Sequence, residues 1–381
     1  MPINYLFTGF ENASPIQWEL DEAGVAHVGL IYDRERDSPN RAVLHWHFQV
    51  QGTPGHEARL LLKNFDNIWN GRHGSPIRNG AACAVSENGK DWSVAEGRTT
   101  DENFLDLKVV LPSSGTLFVA RIEPYRISDH LRFMAALQGH RNVAIEAIGK
   151  TVEGRELEMV RVGRTDARYR LLLRARAHPW ETGGNWVLEG LMRAVLNNPP
   201  DYCIYAMPMS NKDGVAHGGS RFNLMGKDLN RDWGSPANPA MAPENTALEK
   251  WLDRMARAGQ LPHLAIDFHN DSSGKIHVSR PEGNFGAYWE HMERLETALT
   301  EHTWFTEGST GSNFQNAGTF GEGLLMRYGI DACIMELNCN WSAGLSKAPL
   351  GTDWKVLGQQ MRDAFSAYFH GIHGGENLGG S

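Results

Sequence analysis

Cysteine is scarce in this chain, with four residues among 381, and none of them has the Cys-x-x-Cys spacing of a zinc or redox motif. Such a low count excludes a disulfide scaffold. We expect ordinary buried or partly buried thiols at Cys83, Cys203, Cys333 and Cys339. Long apolar runs are also missing, which argues against a membrane-spanning helix. Neither cysteine chemistry nor membrane insertion is therefore expected of this chain.

Basic residues form no long run, and the formal net charge is −8. Because nucleic-acid-binding proteins need a concentrated basic face, no nucleic-acid partner is expected. The first residues, MPINYLFTGFENASP, lack the charged-then-apolar pattern of a signal peptide. Hydrophobic residues make up 41% of the chain, which is enough to bury an extensive core. We therefore expect a soluble, cytoplasmic protein without a membrane partner.

Two patterns of secondary structure divide the chain. Through about residue 125, short alternating segments separated by turns predict an all-β, antiparallel sandwich domain, with a hairpin at Asn88 and Gly89. From about residue 142, alternating strands and helices predict an α/β domain whose mixed, mainly parallel sheet is flanked by helices. We expect a sandwich domain over residues 1–125, a connecting segment over 126–141, a catalytic domain over 142–373 and a flexible tail over 374–381.

Histidines and glutamates stand at the ends of three strand-like segments. His178 and Glu181 follow RYRLLL, His269 ends HLAIDFH, and Glu336 ends DACIMEL. In open α/β sheets, ligands bind beyond the carboxyl ends of the strands, so these residues could share one rim. A single His-x-x-Glu occurs by chance in many proteins, and the hypothesis depends on the combination.

A catalytic zinc ion gives this set of residues a chemical reason. Zinc commonly takes three ligands from His and Asp or Glu, and it leaves one position for water. Here His178, Glu181 and His269 would bind zinc, and Glu336 would be the general base that takes a proton from the attacking water. Asp267, two residues before His269, would orient a ligand or cap nearby backbone.

The Gly-rich segment HGGSRFNLMGKDLNRDW could hold a substrate through Arg221, Asn230 and Arg231. Guanidinium groups suit a carboxylate, because they donate two parallel hydrogen bonds to it. Arg221 could also stabilise the oxyanion of a tetrahedral intermediate. The alternative for each is a structural role, either as a surface charge or as a bridge between loop carbonyls.

The segments HPWE, NKDGV, DLNRDW, DFH and MEL, in this order, resemble the zinc carboxypeptidases. Within that family, HPWETGGNWVLEG and GGSRFNLMGKDLNRDW are most similar to the cytosolic carboxypeptidase branch. That branch carries a β-sandwich domain ahead of its catalytic domain, which agrees with the pattern before residue 125. The resemblance extends over nearly the whole chain, with its firmest matches between residues 178 and 336.

What the resemblance implies for single residues agrees with the roles given above. The implied zinc ligands are His178, Glu181 and His269. Glu336 matches the general base of the family, and Arg221 matches the arginine that polarises the scissile carbonyl. Asn230 and Arg231 match the pair that clasps the terminal carboxylate of the substrate.

Two features depart from the family pattern. The nearest candidates for its mobile tyrosine are Phe314 and Tyr328, and neither matches clearly. Relatives that trim glutamate chains carry an arginine in a segment where this chain has Glu322, with Arg327 further on. An acidic preference therefore does not follow from the resemblance, and Glu322 would instead favour a basic terminal residue.

The sequence thus predicts a zinc-dependent metallocarboxypeptidase, a hydrolase that removes the carboxyl-terminal residue of peptides or proteins. Two alternatives stay open. One is a zinc amidohydrolase that deacylates small amino-acid conjugates, and the other is an inactive module that binds carboxyl termini. The preferred terminal side chain, the physiological substrate and the formation of homo-oligomers also stay open.

Overall fold

The computed structural model describes residues 2–311 and 317–374. The described residues form twenty β-strands and seven α-helices, in a chain that separates into two compact units. The first unit comprises Met1–Ile127, His178–Thr182 and Asn211–Asp228, and the second comprises Ser128–Ala177, Gly183–Ser210 and Leu229–Ser381. Of the expected tail, residues 375–381 lie outside the described part of the chain, and Gly374 ends a helix.

The first unit is built almost entirely of strands. They are β1 (Ile3–Phe7), β2 (Ile16–Leu20), β3 (Ala26–Leu30), β4 (Asp33–Arg34), β5 (Arg41–Ala42), β6 (His47–Gly52), β7 (Glu57–Lys63), β8 (Asn67–Trp69), β9 (Arg72–Gly74), β10 (Ala81–Ser86), β11 (Ser93–Thr99), β12 (Leu105–Val110) and β13 (Thr116–Ala120). Nine of them form one sheet in the order β1-β6-β13-β10-β11-β12-β7-β3-β2, and β4-β5-β8-β9 form a second sheet. Within the large sheet, β3 and β7 are parallel, and the other pairs are antiparallel.

Alternation of side chains explains why these segments are strands. In β7, every second residue is buried, and the same holds for β3. Their inward residues join one core whose fully buried members include Val28, Leu60 and Phe48. The hairpin at Gly89 joins the antiparallel strands β10 and β11. The all-β prediction is confirmed, and nine of the strands share one continuous sheet. Pairing between distant strands decides that point, and local spacing carries no information about it.

The second unit contains the α/β part of the chain. Its strands are β14 (Val143–Lys150), β15 (Glu156–Val162), β16 (Tyr169–Ala175), β17 (Tyr202–Met207), β18 (Leu264–Asp271), β19 (Ile276–Val278) and β20 (Asp331–Asn338). The helices of the chain are α1 (Ile127–Leu137), α2 (Gly183–Asn197), α3 (Lys212–Ala216), α4 (Pro243–Arg257), α5 (Gly286–His302), α6 (Phe320–Tyr328) and α7 (Gly351–Gly374). Of these, α3 lies within the first unit.

The seven-stranded sheet has the order β14-β15-β17-β16-β18-β20-β19. Its four central strands, β17, β16, β18 and β20, are mutually parallel, and the outer pairs are antiparallel. After β16 the chain continues to β17 on one side, and the later strand β18 lies on the other side. Such a reversal of strand order leaves a crevice at the carboxyl ends of the strands, where ligands bind in this class of sheet. The predicted mixed sheet with flanking helices is confirmed.

Two glycines allow α2 and α7 to lie very close together. A Cβ atom added to Gly358 would collide with the carbonyl oxygen of Val187, and one added to Gly190 would collide with that of Lys355. Any larger residue would push the helices apart, since packed interiors have no spare volume. Among residues 2–311 and 317–374, no helix combines the length and apolarity that crossing a membrane requires.

The four cysteines are all buried, and no disulfide joins them. Burial raises the pKa of the Cys83 thiol to about 11. Thiols of this kind are poor nucleophiles and poor metal ligands, because the reactive form is the thiolate. The prediction of ordinary buried thiols is confirmed.

An ion pair between α5 and β20 makes stability depend on pH. Nδ1 of His291 lies 2.6 Å from Oδ2 of Asp331, and this hydrogen bond raises the pKa of His291 above 6.5. A raised folded-state pKa stabilises the protein fully below the unfolded-state pKa, and the effect is lost as pH rises through the folded-state pKa. We expect His291→Gln to lower the free energy of unfolding at about pH 5.5 and to have little effect at about pH 8. Urea unfolding at both pH values measures this, and an equal loss at both would contradict it.

Candidate metal centre and active site

The turn after β16 brings His178 and Glu181 together. The backbone amide of Glu181 donates to the carbonyl oxygen of His178 at 3.3 Å, and this hydrogen bond closes the turn. Nδ1 of His178 then lies 2.8 Å from Oε1 of Glu181, and both side chains are buried. The His-x-x-Glu spacing therefore works locally, because one tight turn points both side chains the same way.

Asp228 connects His178 to Arg221. One oxygen of Asp228, Oδ1, lies 3.0 Å from Nε2 of His178, and the other accepts from Nε and Nη2 of Arg221 at 2.9 and 2.8 Å. A carboxylate on the outer ring nitrogen fixes the orientation and tautomer of a metal-binding histidine. Asp228 was not identified in the sequence, and its position two residues before Asn230 is the one signal that could have found it.

His269 receives the same kind of support from Asp267. Both residues lie on β18 two positions apart, so their side chains point to the same face of the sheet. Nε2 of His269 lies 2.8 Å from Oδ2 of Asp267. From the sequence, Asp267 could either orient a ligand or cap nearby backbone. Its contact with His269 supports the role of orienting a ligand.

A buried arginine holds Asp267 in turn. Arg174 is the register partner of Asp267 on β16, and its Nε and Nη2 donate to the two carboxylate oxygens. The guanidinium carbon of Arg174 lies 4.4 Å from the ring centre of Phe320 and 5.0 Å from that of Trp233. Burial acts to raise the pKa of Asp267, but the charges and hydrogen bonds of Arg174 and His269 outweigh it. The pKa of Asp267 is therefore lowered, and the carboxylate stays ionised.

The side chains of His178, Glu181 and His269 could hold a metal ion. Each offers one ligand atom, and these atoms all lie within 4.8 Å of one another. In both histidines Nε2 faces a carboxylate, of Asp228 or Asp267, so Nδ1 is the atom that could bind a metal. Two imidazole nitrogens and one carboxylate oxygen, each ring backed by a carboxylate, form a donor set that fits zinc.

Glu336 lies beside His269 in the sheet. The two are partners in the parallel register of β18 and β20, and paired residues on neighbouring strands point to the same face. The backbone amide of Glu336 donates to the carbonyl of Lys275, and its Oε1 lies 3.9 Å from Nδ1 of His277. Burial lowers the pKa of His277 to about 4, so the ring is neutral near neutral pH. The predicted general base is thus partly buried beside one predicted zinc ligand.

The loop that carries Arg221 is held by a carboxylate far away in the sequence. Oδ2 of Asp33 accepts from three consecutive backbone amides, those of Ser220, Arg221 and Phe222, at 3.2, 2.7 and 2.9 Å. Burial raises the pKa of Asp33, and these hydrogen bonds act in the opposite direction. No motif in the sequence pointed to Asp33, because an Asp in a short polar segment looks like surface.

Removing the Asp33 carboxylate should loosen this loop. We expect Asp33→Ala to cost about 1–3 kcal/mol of stability, because three partly buried backbone amides lose their acceptor. It should also lower kcat/KM, since the backbone at Arg221 is no longer fixed. Asp33→Asn retains one acceptor oxygen and should restore much of both. Urea unfolding and peptide hydrolysis measure the two effects, and the exposed Asp101 gives a control in Asp101→Ala. If Asp33→Ala and Asp101→Ala have the same stability and the same kcat/KM, Asp33 does not hold the loop that carries Arg221.

The predicted carboxylate clasp lies at the start of α6. Oδ1 of the buried Asn230 accepts from the backbone amide of Phe320 at 2.9 Å, so its Nδ2 group is the side-chain donor. Nη1 of Arg231 donates to the carbonyl of Asn230 at 2.7 Å, and Arg231 is half-buried. Both side chains carry donors suited to a carboxylate.

Two charged residues considered for substrate preference have partners in the fold. Oε2 of Glu322 accepts from the backbone amide of Gly318 at 2.5 Å, which caps the start of α6. Nη1 of Arg327 lies 2.5 Å from Oε1 of Glu249 and also donates to two backbone carbonyls. These contacts give both residues a structural role.

Neither candidate for the mobile tyrosine gains support. The hydroxyl of Tyr328 donates to Oδ1 of Asp253 at 3.1 Å. Phe314 lies outside the described residues.

Parts of the chain are similar to known proteins. Residues 130–279 match the family model described as zinc carboxypeptidase. An uncharacterized protein of Zymomonas mobilis is 27% identical over 197 residues, which are 50% of this chain and 49% of that protein. Cytosolic carboxypeptidase 1 of Mus musculus is 37% identical over 112 residues, which are 28% of this chain and 9% of that protein. The chain thus matches half or less of the length of these relatives.

Solved structures show the same fold over nearly the whole chain. A metallo-carboxypeptidase from Burkholderia cenocepacia has a TM-score of 0.83 at 19% identity, covering 98% of this chain and 100% of that one. A metallo-carboxypeptidase from Pseudomonas aeruginosa, in complex with (2-guanidinoethylmercapto)succinic acid, has a TM-score of 0.80 at 22% identity, with 96% and 99% covered. Residues 130–279 therefore match the zinc carboxypeptidase family model, and the chain has the fold of solved metallo-carboxypeptidases and is similar to cytosolic carboxypeptidase 1 over 112 residues.

Proposed function

We propose that this chain is a zinc-dependent carboxypeptidase, which hydrolyses the last peptide bond of a peptide or protein. One observation carries the proposal. The ligand atoms of His178, Glu181 and His269 lie within 4.8 Å of one another, and each ring is backed by a carboxylate. Such a set suits a catalytic zinc, because three protein ligands leave one position for water.

The residues around the metal ligands would carry the remaining chemistry. Zinc, when bound, acidifies a water molecule and polarises a carbonyl group. Glu336 would accept a proton from the attacking water and pass it to the leaving amine as the C–N bond breaks. Arg221, whose guanidinium is oriented by Asp228, would stabilise the negative charge on the carbonyl oxygen of the substrate.

The free carboxylate of the substrate would be held by Asn230 and Arg231. The guanidinium of Arg231 can donate two parallel hydrogen bonds, and Nδ2 of Asn230 can add another. A substrate with an amidated end lacks the negative charge that these donors would recognise. Selection for a free carboxyl terminus therefore follows from this pair.

We also propose the domain that carries this activity, its binding partners and its location in the cell. We assign the catalytic domain to residues 142–373, and we assign a β domain and a connecting segment to residues 1–125 and 126–141. Peptide or protein carboxyl termini would be the partners of the site, and the cytoplasm its location. The absence of disulfides among four buried cysteines agrees with a reducing compartment.

A substrate panel tests the proposal. Purified, zinc-loaded protein is incubated with peptides ending in acidic, basic or apolar residues, each with a free and an amidated end. We expect release of the last residue from free ends only, and the best end identifies the preferred side chain. Arg231→Met should raise KM more than it lowers kcat. Hydrolysis of small N-acyl amino acids but not of peptides would favour the amidohydrolase, and zinc binding without hydrolysis would favour the binding module.

A further inference from the structure

A second group of metal-binding side chains lies beside the first. Asp271 ends β18, His277 is the middle residue of β19, and Glu336 lies on β20. One ligand atom from each of these three residues lies within 4.8 Å of the others. The proposed zinc ligands are not part of this group, and the proposed function uses only Glu336 from it.

The backbone around Asp271 holds the group in place. Oδ1 of Asp271 accepts from the backbone amides of Ser273 and Gly274, at 2.7 and 2.6 Å, which closes the turn that leads to β19. His277 then lies opposite Ile334 in the antiparallel register of β19 and β20. No large rearrangement is needed to bring the three side chains together, since each is attached to a paired strand.

The distances suit ligands of one ion better than a direct hydrogen bond. Oε1 of Glu336 and Nδ1 of His277 are 3.9 Å apart, which is too long for a hydrogen bond. Two ligands on one tetrahedral zinc, each bonded at about 2.1 Å, lie about 3.4 Å apart. Small side-chain movements would bring this pair to that spacing. The side chains of His277 and Glu336 are 17% and 13% exposed, so an ion could reach them and still be partly shielded from water.

We propose that Asp271, His277 and Glu336 form a second divalent-cation site, which takes zinc through two carboxylates and one neutral imidazole. An imidazole ligand favours zinc over calcium and magnesium, which prefer sites made of oxygen atoms. If the proposed function holds, an ion at this site occupies the carboxylate that has to accept the proton. Zinc in excess of the catalytic ion then inhibits hydrolysis, and this consequence rests on the proposed function.

Equilibrium dialysis of the whole chain against increasing zinc, followed by metal analysis, tests the site. We expect wild type to bind one ion tightly and a second more weakly. His277→Gln should lower the affinity for the second ion by at least about tenfold. Removing even an outer partner of a metal ligand usually costs at least that much affinity. Asp271→Asn keeps the acceptor for Ser273 and Gly274, so it tests the site independently should His277→Gln not fold. His302→Gln, at an exposed position, should leave both ions bound.

Several outcomes would overturn the site. These are a single ion in wild type, a second ion unchanged in both variants, or displacement of the second ion by magnesium. The binding measurement does not depend on catalysis, so it decides the site even if no peptide is hydrolysed. Where hydrolysis is found, inhibition by excess zinc should be lost in His277→Gln and Asp271→Asn and kept in His302→Gln.

Discussion

Changing Glu336 to Gln is expected to lower kcat for peptide hydrolysis by about a hundredfold to ten-thousandfold, which is the usual contribution of a general base. Gln has the same shape but cannot accept a proton at neutral pH. KM should change little, because the terminal carboxylate would be held by Asn230 and Arg231. The measurement is the steady-state kinetics of both proteins on the best peptide from the panel, with metal content determined in parallel.

The tight zinc ion serves as the internal control for this variant. None of its three proposed ligands is changed, so Glu336→Gln should retain it. Glu301, exposed on α5, provides the matched substitution Glu301→Gln, which should keep wild-type activity. If Glu336→Gln holds zinc and retains activity within about tenfold of wild type, Glu336 is not the base.

Changing Asp267 to Asn is expected to reduce both stability and zinc affinity. Arg174 and Asp267 are fully buried, and loss of one partner leaves an uncompensated buried charge. Breaking a buried pair in this way costs about 3–5 kcal/mol. The orientation of His269 also depends on Asp267, so zinc affinity should fall by about tenfold to a hundredfold. Urea unfolding of the zinc-free protein and a competitive zinc titration measure the two effects separately.

A double variant separates the two roles of Asp267. Replacing Arg174 with Met and Asp267 with Leu removes both charges, and well-packed apolar side chains often restore the stability of such a pair. Zinc affinity should stay low, because His269 still lacks its carboxylate partner. The exposed pair of Arg164 and Asp166 is the control, and Asp166→Asn should leave the unfolding midpoint unchanged. Wild-type zinc affinity in the double variant would refute the positioning role.

The candidate zinc ligands can be identified from the amino-acid sequence alone, for a local reason. His178 and Glu181 are three residues apart, and a single turn is enough to bring them together. His269 and Glu336 end two strand-like segments, and parallel strands place their carboxyl ends at one edge. Short-range geometry and a general property of α/β sheets are both readable from the order of residues.

The supporting carboxylates could not be identified in this way. Asp228 reaches His178 across 50 residues of chain, and Asp33 reaches the loop at Arg221 across 188. Asp33 stands in a short polar segment that looks like solvated surface, and for Asp228 the only signal is its position two residues before Asn230. Asp271 and His277 could not be identified from the sequence either, because the strand order of the sheet is what brings them to Glu336.

The amino-acid sequence by itself determined the alternation of strands and helices, and it predicted the kind of chemistry and the candidate residues for the proposed reaction. Those properties depend on periodicity and on short spacings, which the chain expresses locally. Only the tertiary structure decided that nine strands form one sheet, that a buried Arg174 holds Asp267, and that Asp271 and His277 lie close to Glu336. These features arise from pairings between residues far apart in the chain, and such pairings form only when the strands have found their neighbours.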